Sequence, residues 1–331
     1  MGFLWHGSGF ESGIQSCLSM KIKDIRNFLR KTFRFGSFIP LSNILPLYLG
    51  RVMPERFKDW MSSVRNKRIK AVISNNVDCR TSKQYCMEES GNAPIWYFWL
   101  QGEDKLPLIP KLCLASIRKY SSGHDVIFLD SENFQDYVKM PDYIMDLYSH
   151  GILKAAHFAD IMRVTLLFQR GGLWLDSTML LTSPIPEDVF ARPFFSIKTK
   201  PFGRFVSQCR WSVFCLGGHK GNPIFGEVSR MFFEYLSKET VFVDYFMFDQ
   251  FIDILYENNP QIREMIDDVP MNNPDVHALA PILCDKTDMS SLAGLGSETF
   301  IFKLNWKKFT DIQLLASNDS LFAHLFNVFK E

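Results

Sequence analysis

A chain of 331 residues, 47% of them hydrophobic, is long enough to bury one large core, or a core plus an accessory region. No apolar run approaches the ~20 residues needed to cross a bilayer, which excludes a spanning helix. The seven cysteines (Cys17, Cys79, Cys86, Cys113, Cys209, Cys215 and Cys284) form no CxxC pair and no Cys/His cluster. They argue against both a zinc site and a disulfide scaffold.

The first twenty residues lack the basic start and continuous apolar segment of a secretory signal, so residues 1–20 are expected to be an extension of little structural weight. The net charge of +1 conceals an asymmetry. Residues 21–70 hold thirteen Lys and Arg against three Asp and Glu, a net +10, and everything after Lys70 sums to −8. Basic and apolar positions alternate there (Ile22, Ile25, Phe28, Leu29, Phe33, later Phe57, Trp60 and Val64). This predicts two or three amphipathic helices, interrupted at Gly36, Pro40, Pro46 and Pro54. Such helices either lie on an anionic membrane surface or present a solvated basic face while packing on the body. No helix-turn-helix, RRM or zinc-finger pattern supports nucleic-acid binding. Residues 71–92 are polar and irregular and read as a linker, which closes a basic helical region at 21–92.

From residue 93 onward the pattern changes. Pro94 to Leu100 is an aromatic run of strand length, Pro110–Tyr120 is helical, and Asp125–Asp130 is a second strand. Short helices follow over Ser131–Val138 and Asp142–His150. Next comes a long one from Ile152, stopped by Gly171-Gly172, and a buried strand at Leu173-Trp174-Leu175. Strands at Pro193–Ile197 and Trp211–Leu216, helices at Asn222–Ser237 and Phe246–Tyr256, a strand within Thr299–Trp306 and a short helix from Ser320 complete residues 93–331. Strand and helix alternating at this spacing predict βαβ units, a Rossmann-type, mainly parallel mixed sheet flanked by helices.

The central stretch carries the chemistry. Asp160 and Arg163 sit one turn apart on the long helix, and the following strand ends on Asp176-Ser177-Thr178. In open α/β sheets ligands bind beyond the carboxyl ends of the strands. Asp160–Arg163 is either a surface ion pair of small value or a buried pair that needs partners. Arginine suits forked recognition of phosphate or sugar hydroxyls. A strand-end carboxylate with neighbouring hydroxyls can hold a hard divalent cation, or it can simply cap a turn. Asp249 and Gln250, at the head of a helix, either cap it or approach a substrate. Lys303 is either an exposed lysine or a partner for a diphosphate. His157, His219 and His277 read as structural, and no base–nucleophile pair marks a hydrolase.

Taken together, AAHFADIMR followed by GGLWLDSTMLL resembles the A-x-x-S-D-x-x-R and GG-x-x-x-D-x-D signature of DXD-type sugar transferases. The likeness is to the capsular polysaccharide synthesis protein family, related to glycosyltransferase family 32, and runs from Ile95 to about Trp306. It implies a GT-A fold and transfer of a sugar from a nucleotide-sugar donor, UDP-linked, to a glycan or lipid-linked acceptor, with retention of configuration. It further implies that Trp99 stacks on the base, with Gln101 close by. Asp160 and Arg163 would contact the sugar and phosphates, and Asp176 and Ser177 the nucleotide sugar. Asp249, Gln250 and Lys303 complete the expected set, in which Asp160, Arg163, Asp176 and Asp249 are catalytic. A Mn²⁺ or Mg²⁺ ion would sit on Asp176 and Thr178. Two departures stand out: Thr178 replaces the second Asp of DXD, and Ala159 replaces the Ser. The expected setting is the cytoplasmic face of the cell membrane, held by residues 21–70. Thr178 keeps a second possibility open, a non-catalytic nucleotide-sugar-binding scaffold. A toxin-like transferase acting on protein is a third.

Overall fold

Alternating apolar and aromatic residues build a mixed α/β body around one sheet. The computed structural model describes residues 22–50, 52–80, 84–89, 91–200, 204–286, 298–315 and 317–329, so the expected extension over 1–20 lies outside the described residues. Three helices come first: α1 (Ile22–Phe35), α2 (Phe38–Leu49) and α3 (Glu55–Asn76). They lead into β1 (Ile95–Phe98), α4 (Leu108–Lys119), β2 (Val126–Leu129), α5 (Asp142–Ser149), α6 (Ala155–Arg170) and β3 (Gly172–Leu175). The rest of the chain supplies β4 (Met179–Leu181), β5 (Phe194–Ser196), β6 (Cys215–Gly218), α7 (Pro223–Lys238), α8 (Met247–Asn258), α9 (Pro260–Asp267), β7 (Ile301–Lys303) and α10 (Leu321–Phe329).

Five strands form the main sheet in the order β2-β1-β3-β6-β5. β1 pairs parallel with β2 and β3, while β6 runs antiparallel to both β3 and β5. Four of the five strands therefore point the same way, which makes the sheet mainly parallel as expected. The carboxyl ends of β1 and β3 open side by side on one edge. Only parallel strands joined by helical crossovers bring two chain segments out together in this manner. The last strand does not join this sheet. β7 pairs antiparallel with β4 in a separate ribbon, and that ribbon is what carries Lys303 towards the end of β3.

Near-complete burial explains why β3 lacks the alternation of an exposed strand. Leu173, Trp174 and Leu175 are all at most 2% exposed, and burying each such side chain stabilises the fold by roughly 1.5–3 kcal/mol. The turn from α6 into β3 needs its two glycines. Gly171 and Gly172 have φ of 68° and 96°, a region that side chains rarely adopt. A Cβ on Gly172 would sit 2.3 Å from the Pro94 carbonyl oxygen. The close approach of β1 to this turn fixes where α6 stops.

Three expectations in the first region change. Pro40 and Pro46 do not break the chain but lie within α2. Pro40 falls in the first turn, where a missing N–H costs nothing, and the packing of Ile39 into the core holds the helix. Residues 71–76 continue α3 where a linker was expected. The polar end of α3 is helical because Ile69 and Ile73, both fully buried, anchor its other side in the same core as β1, β3 and α6.

Candidate active site

The site is built at the carboxyl end of β3. Asp176 follows the last strand residue, and its N–H donates to the Phe214 carbonyl at 3.0 Å, which ties the turn to the segment before β6. The carbonyl of Ser177 lies 3.0 Å from the hydroxyl of Tyr97, a β1 residue that also donates to the Pro110 carbonyl at 2.8 Å. The carbonyl of Thr178 accepts from the Leu304 N–H at 2.8 Å. Every residue of the Asp-Ser-Thr turn is thus pinned through its backbone by a different element.

Four charged side chains meet there: Asp176, Arg163, Asp160 and Lys303. The Arg163 guanidinium lies 2.9 Å from Asp176 Oδ1 and 3.5 Å from Asp160. The Lys303 ammonium lies 2.9 Å from Asp176 Oδ2. The Trp174 indole adds a hydrogen bond to Asp176 Oδ1 at 3.0 Å. Arg163 is only 5% exposed, so Asp160–Arg163 is a buried pair and not a surface one. The guanidinium also donates to the Val213 carbonyl and lies over the Trp174 and Phe248 rings. Burial opposes ionisation of the Asp176 carboxyl, but Arg163, Lys303 and the Trp174 and Lys303 hydrogen bonds outweigh it. The carboxyl is held below its ordinary range. The result is a fixed carboxylate between two cations, with the Asp160 carboxylate also beside Arg163.

Two recesses adjoin this group. One is an aromatic cavity of about 250 Å³ walled by Trp211, Phe214 and Phe246, with Asp249 in its lining. The other is an open basic groove formed by Thr178, Lys303, Trp306, Lys307 and Lys308. His277 lines both. Burial first, and then Lys303, depress its pKa below the ordinary imidazole value, so at neutral pH it brings no charge.

Asp249 is not the helix cap that its position suggests. The N-cap of α8 is Phe246, and no side chain caps that end. The carboxylate of Asp249 instead accepts the Trp211 indole N–H at 3.0 Å. Burial pushes its carboxyl up to about 7, with Asp160 and Asp244 adding to the rise and Trp211 and Arg163 opposing it. An acid with that pKa can exchange a proton near neutrality.

The remaining expected residues fall in different places. Trp99 follows β1, meets Trp306 edge-on at 5.5 Å, and has its indole nitrogen buried without a hydrogen-bond partner among the described residues. Gln101 is exposed in the next turn. Gln250 is fully buried and donates to Asn66 of α3 at 3.4 Å; no described interaction links it to Asp160, Arg163 or Asp176. Three contributors escaped the sequence: His277, Trp306 and Trp211. Each is a lone residue far along the chain from Asp176, and only the shared recesses reveal it.

A divalent cation on Asp176 and Thr178 does not match the donor set. Both Asp176 oxygens are already engaged by Arg163, Trp174 and Lys303, and bringing a dication between two fixed cations is electrostatically opposed. A neutral threonine hydroxyl adds only a weak ligand. Among the described residues, no group of three or more His, Cys, Asp and Glu side chains is arranged to hold a metal.

Residues 52–325 match the sequence model described as "Capsular polysaccharide synthesis protein". The chain belongs to this family. The match begins just ahead of α3, earlier than the motif likeness from Ile95, and it leaves α1 and α2 outside. No curated protein matches the sequence. Among solved structures, the chain is similar to one described as "PaToxG Glycosyltransferase", with a TM-score of 0.36 and 13% identity over 81% of this chain and 97% of that one. No helix among the described residues is long and apolar enough to cross a membrane.

Proposed function

We propose that this capsular polysaccharide synthesis family member is a GT-A-like glycosyltransferase. It moves a sugar from a nucleotide-sugar donor, with UDP favoured, to a glycan or lipid-linked acceptor. The observation that carries the proposal is the Arg163–Asp176–Lys303 group, set between a basic groove and an aromatic cavity. The groove, with Lys303, Lys307 and Lys308, suits a diphosphate. Trp99 and Trp306 at its edge offer aromatic surface for the base. The aromatic cavity suits a sugar ring, whose hydroxyls would bond to Asp249 in its lining.

In the reaction, the bond from the anomeric carbon to the diphosphate breaks and its electron pair leaves on the phosphate oxygen. The acceptor hydroxyl bonds to the same carbon and gives up its proton to the departing phosphate or to solvent. Arg163 and Lys303 stabilise the charge that builds on the diphosphate, and Asp176 holds both cations in place beforehand. No step of this proposal passes through a metal. Catalysis rests on positioning and electrostatic stabilisation.

The test is a thermal-shift and donor-hydrolysis screen across nucleotide sugars, with manganese or with a chelator. At least one donor is expected to raise Tm, and Asp176→Asn to lower turnover by about 10²–10³-fold, as for loss of one preorganised charge contact. Turnover in chelator should equal that in manganese within about twofold, less than a 0.5 kcal/mol change in barrier. If no donor shifts Tm, or if Asp176→Asn turns over like wild type, the proposal fails. A second reading, a nucleotide-sugar-binding scaffold, draws on Thr178 and on the fully engaged Asp176. It predicts a donor-induced Tm shift with no hydrolysis or transfer.

A further inference from the structure

Helix α1 leaves outside an apolar stripe that an ordinary amphipathic surface helix would bury. In such a helix the apolar stripe faces the core and the charges face water. Here three basic side chains, Arg30, Lys31 and Arg34, reach the body, and Phe35 packs against its core. Arg30 donates to the Thr240 hydroxyl at 3.3 Å, Lys31 to the Val243 carbonyl at 3.3 Å, and Arg34 pairs with Glu239. The apolar stripe Ile25, Leu29 and Phe33, spaced four residues apart and so on one face, points into solvent. These side chains are 42%, 59% and 95% exposed.

Such exposure of three large side chains in a row is unfavourable unless something covers them. Arg26 and Arg30 flank the stripe with surface still in solvent, and α1 itself holds five Lys and Arg against one Asp, a net +4. We infer that the outward face of α1 docks on an anionic lipid surface: Ile25, Leu29 and Phe33 enter the headgroup–acyl boundary while the flanking arginines bind lipid phosphates. Charge complementarity selects this occupant. A second copy docked face to face through the same helix would set like charges against each other, and an apolar protein groove would leave the arginines unmatched.

The docking has a positional consequence. The segment that α1 grips, residues 239–243, runs directly into exposed Tyr245 and Phe246, and Phe246 forms a wall of the aromatic cavity. A membrane under α1 would therefore lie beside the mouth of that cavity, where a lipid-linked acceptor would be presented. This last point rests on the transferase reading; the docking itself does not.

The experiment is co-sedimentation of the full chain with vesicles of phosphatidylcholine alone or doped with phosphatidylglycerol. Wild type is compared with the double variant Leu29→Glu/Phe33→Glu, whose side chains are exposed and leave the fold intact by circular dichroism. Wild type should bind the doped vesicles at least about tenfold more tightly than the neutral ones, and less tightly as salt rises from about 0.05 to 0.5 M. The variant should bind at least about tenfold more weakly. Absence of wild-type binding, equal binding to neutral vesicles, or undiminished binding by the variant would overturn the inference. So would sedimentation velocity showing a dimer that the double variant dissociates. Donor-induced thermal shifts, measured on the same preparations without vesicles, report on the transferase reading independently.

Discussion

Helices α1 and α6 contain the same kinds of residue, apolar and basic, and dispose of them in opposite ways. In α6, Ile161, Met162 and Val164 are fully buried and Arg163 is buried with them. In α1, Arg30, Lys31, Arg34 and Phe35 hold the helix to the body and the apolar stripe Ile25, Leu29 and Phe33 faces outward. The difference lies in what each cation meets. Arg163 has a carboxylate at 2.9 Å, a backbone carbonyl and two aromatic rings, enough to offset the loss of water. On α1, Arg30 meets a single hydroxyl at an exposed site, and Arg34 reaches Glu239 with a guanidinium that stays half in solvent, so neither is held by a buried network like that of Arg163. Burial of a charge signals a prepared site. Exposure of an apolar stripe signals a surface prepared for something else.

The comparison breaks most sharply at Arg163. Arg163→Ala removes one of the two cations beside Asp176 and leaves that carboxylate in a crowded site. A loss of about 3–5 kcal/mol is expected in chemical denaturation, together with loss of any donor-induced thermal shift. The corresponding change on α1, Arg30→Ala, removes one hydrogen bond to the Thr240 hydroxyl at an exposed site and should cost under about 1 kcal/mol. Equal losses in the two helices would mean that the contrast in burial has no energetic content.

Gly172→Ala tests the turn that joins α6 to β3. A positive φ and a Cβ 2.3 Å from the Pro94 carbonyl predict destabilisation of about 2–4 kcal/mol, by thermal melting. An unchanged melt would show that the turn is not pinned.

Asp249 gives a pH signature. Its carboxyl is raised from 3.8 to about 7 in the folded chain. Folding therefore binds a proton more tightly, and the associated stability is present below about pH 4 and lost as pH rises through about 7. Asp249→Asn removes that dependence. Relative to wild type it should gain stability between pH 4 and pH 8, on the order of 4 kcal/mol. A constant difference across that range would contradict the raised pKa.

The smallest effect is expected at Phe33. Phe33→Ser should alter stability by no more than about 0.5 kcal/mol, because the ring is almost wholly in solvent. A larger loss would show that the stripe is already covered within the chain.

Much of the central stretch was legible from residue order. Asp160 and Arg163 share a face because they are three residues apart on a helix, the glycine pair must end that helix, and a short apolar run must follow as a strand. These are local rules acting over a few residues. Lys303 was visible only as a possibility, since the pairing of β7 with β4 brings it to Asp176 from 127 residues away. Trp211 orients Asp249 from 38 residues away, and nothing in local spacing links them. The prolines of α2 and the polar end of α3 misled for the converse reason. Local propensity is weak, and burial of Ile39, Ile69 and Ile73 overrode it.

By itself, then, the amino-acid order determined the helix, the turn and the strand whose end carries Asp176, because periodicity, capping and glycine geometry are short-range. Only the tertiary structure decided the ionic state of that end and which way α1 faces. Charge pairing and burial depend on what distant segments bring within a few ångströms, and for Asp176 those segments are α6, the chain before β6, and β7.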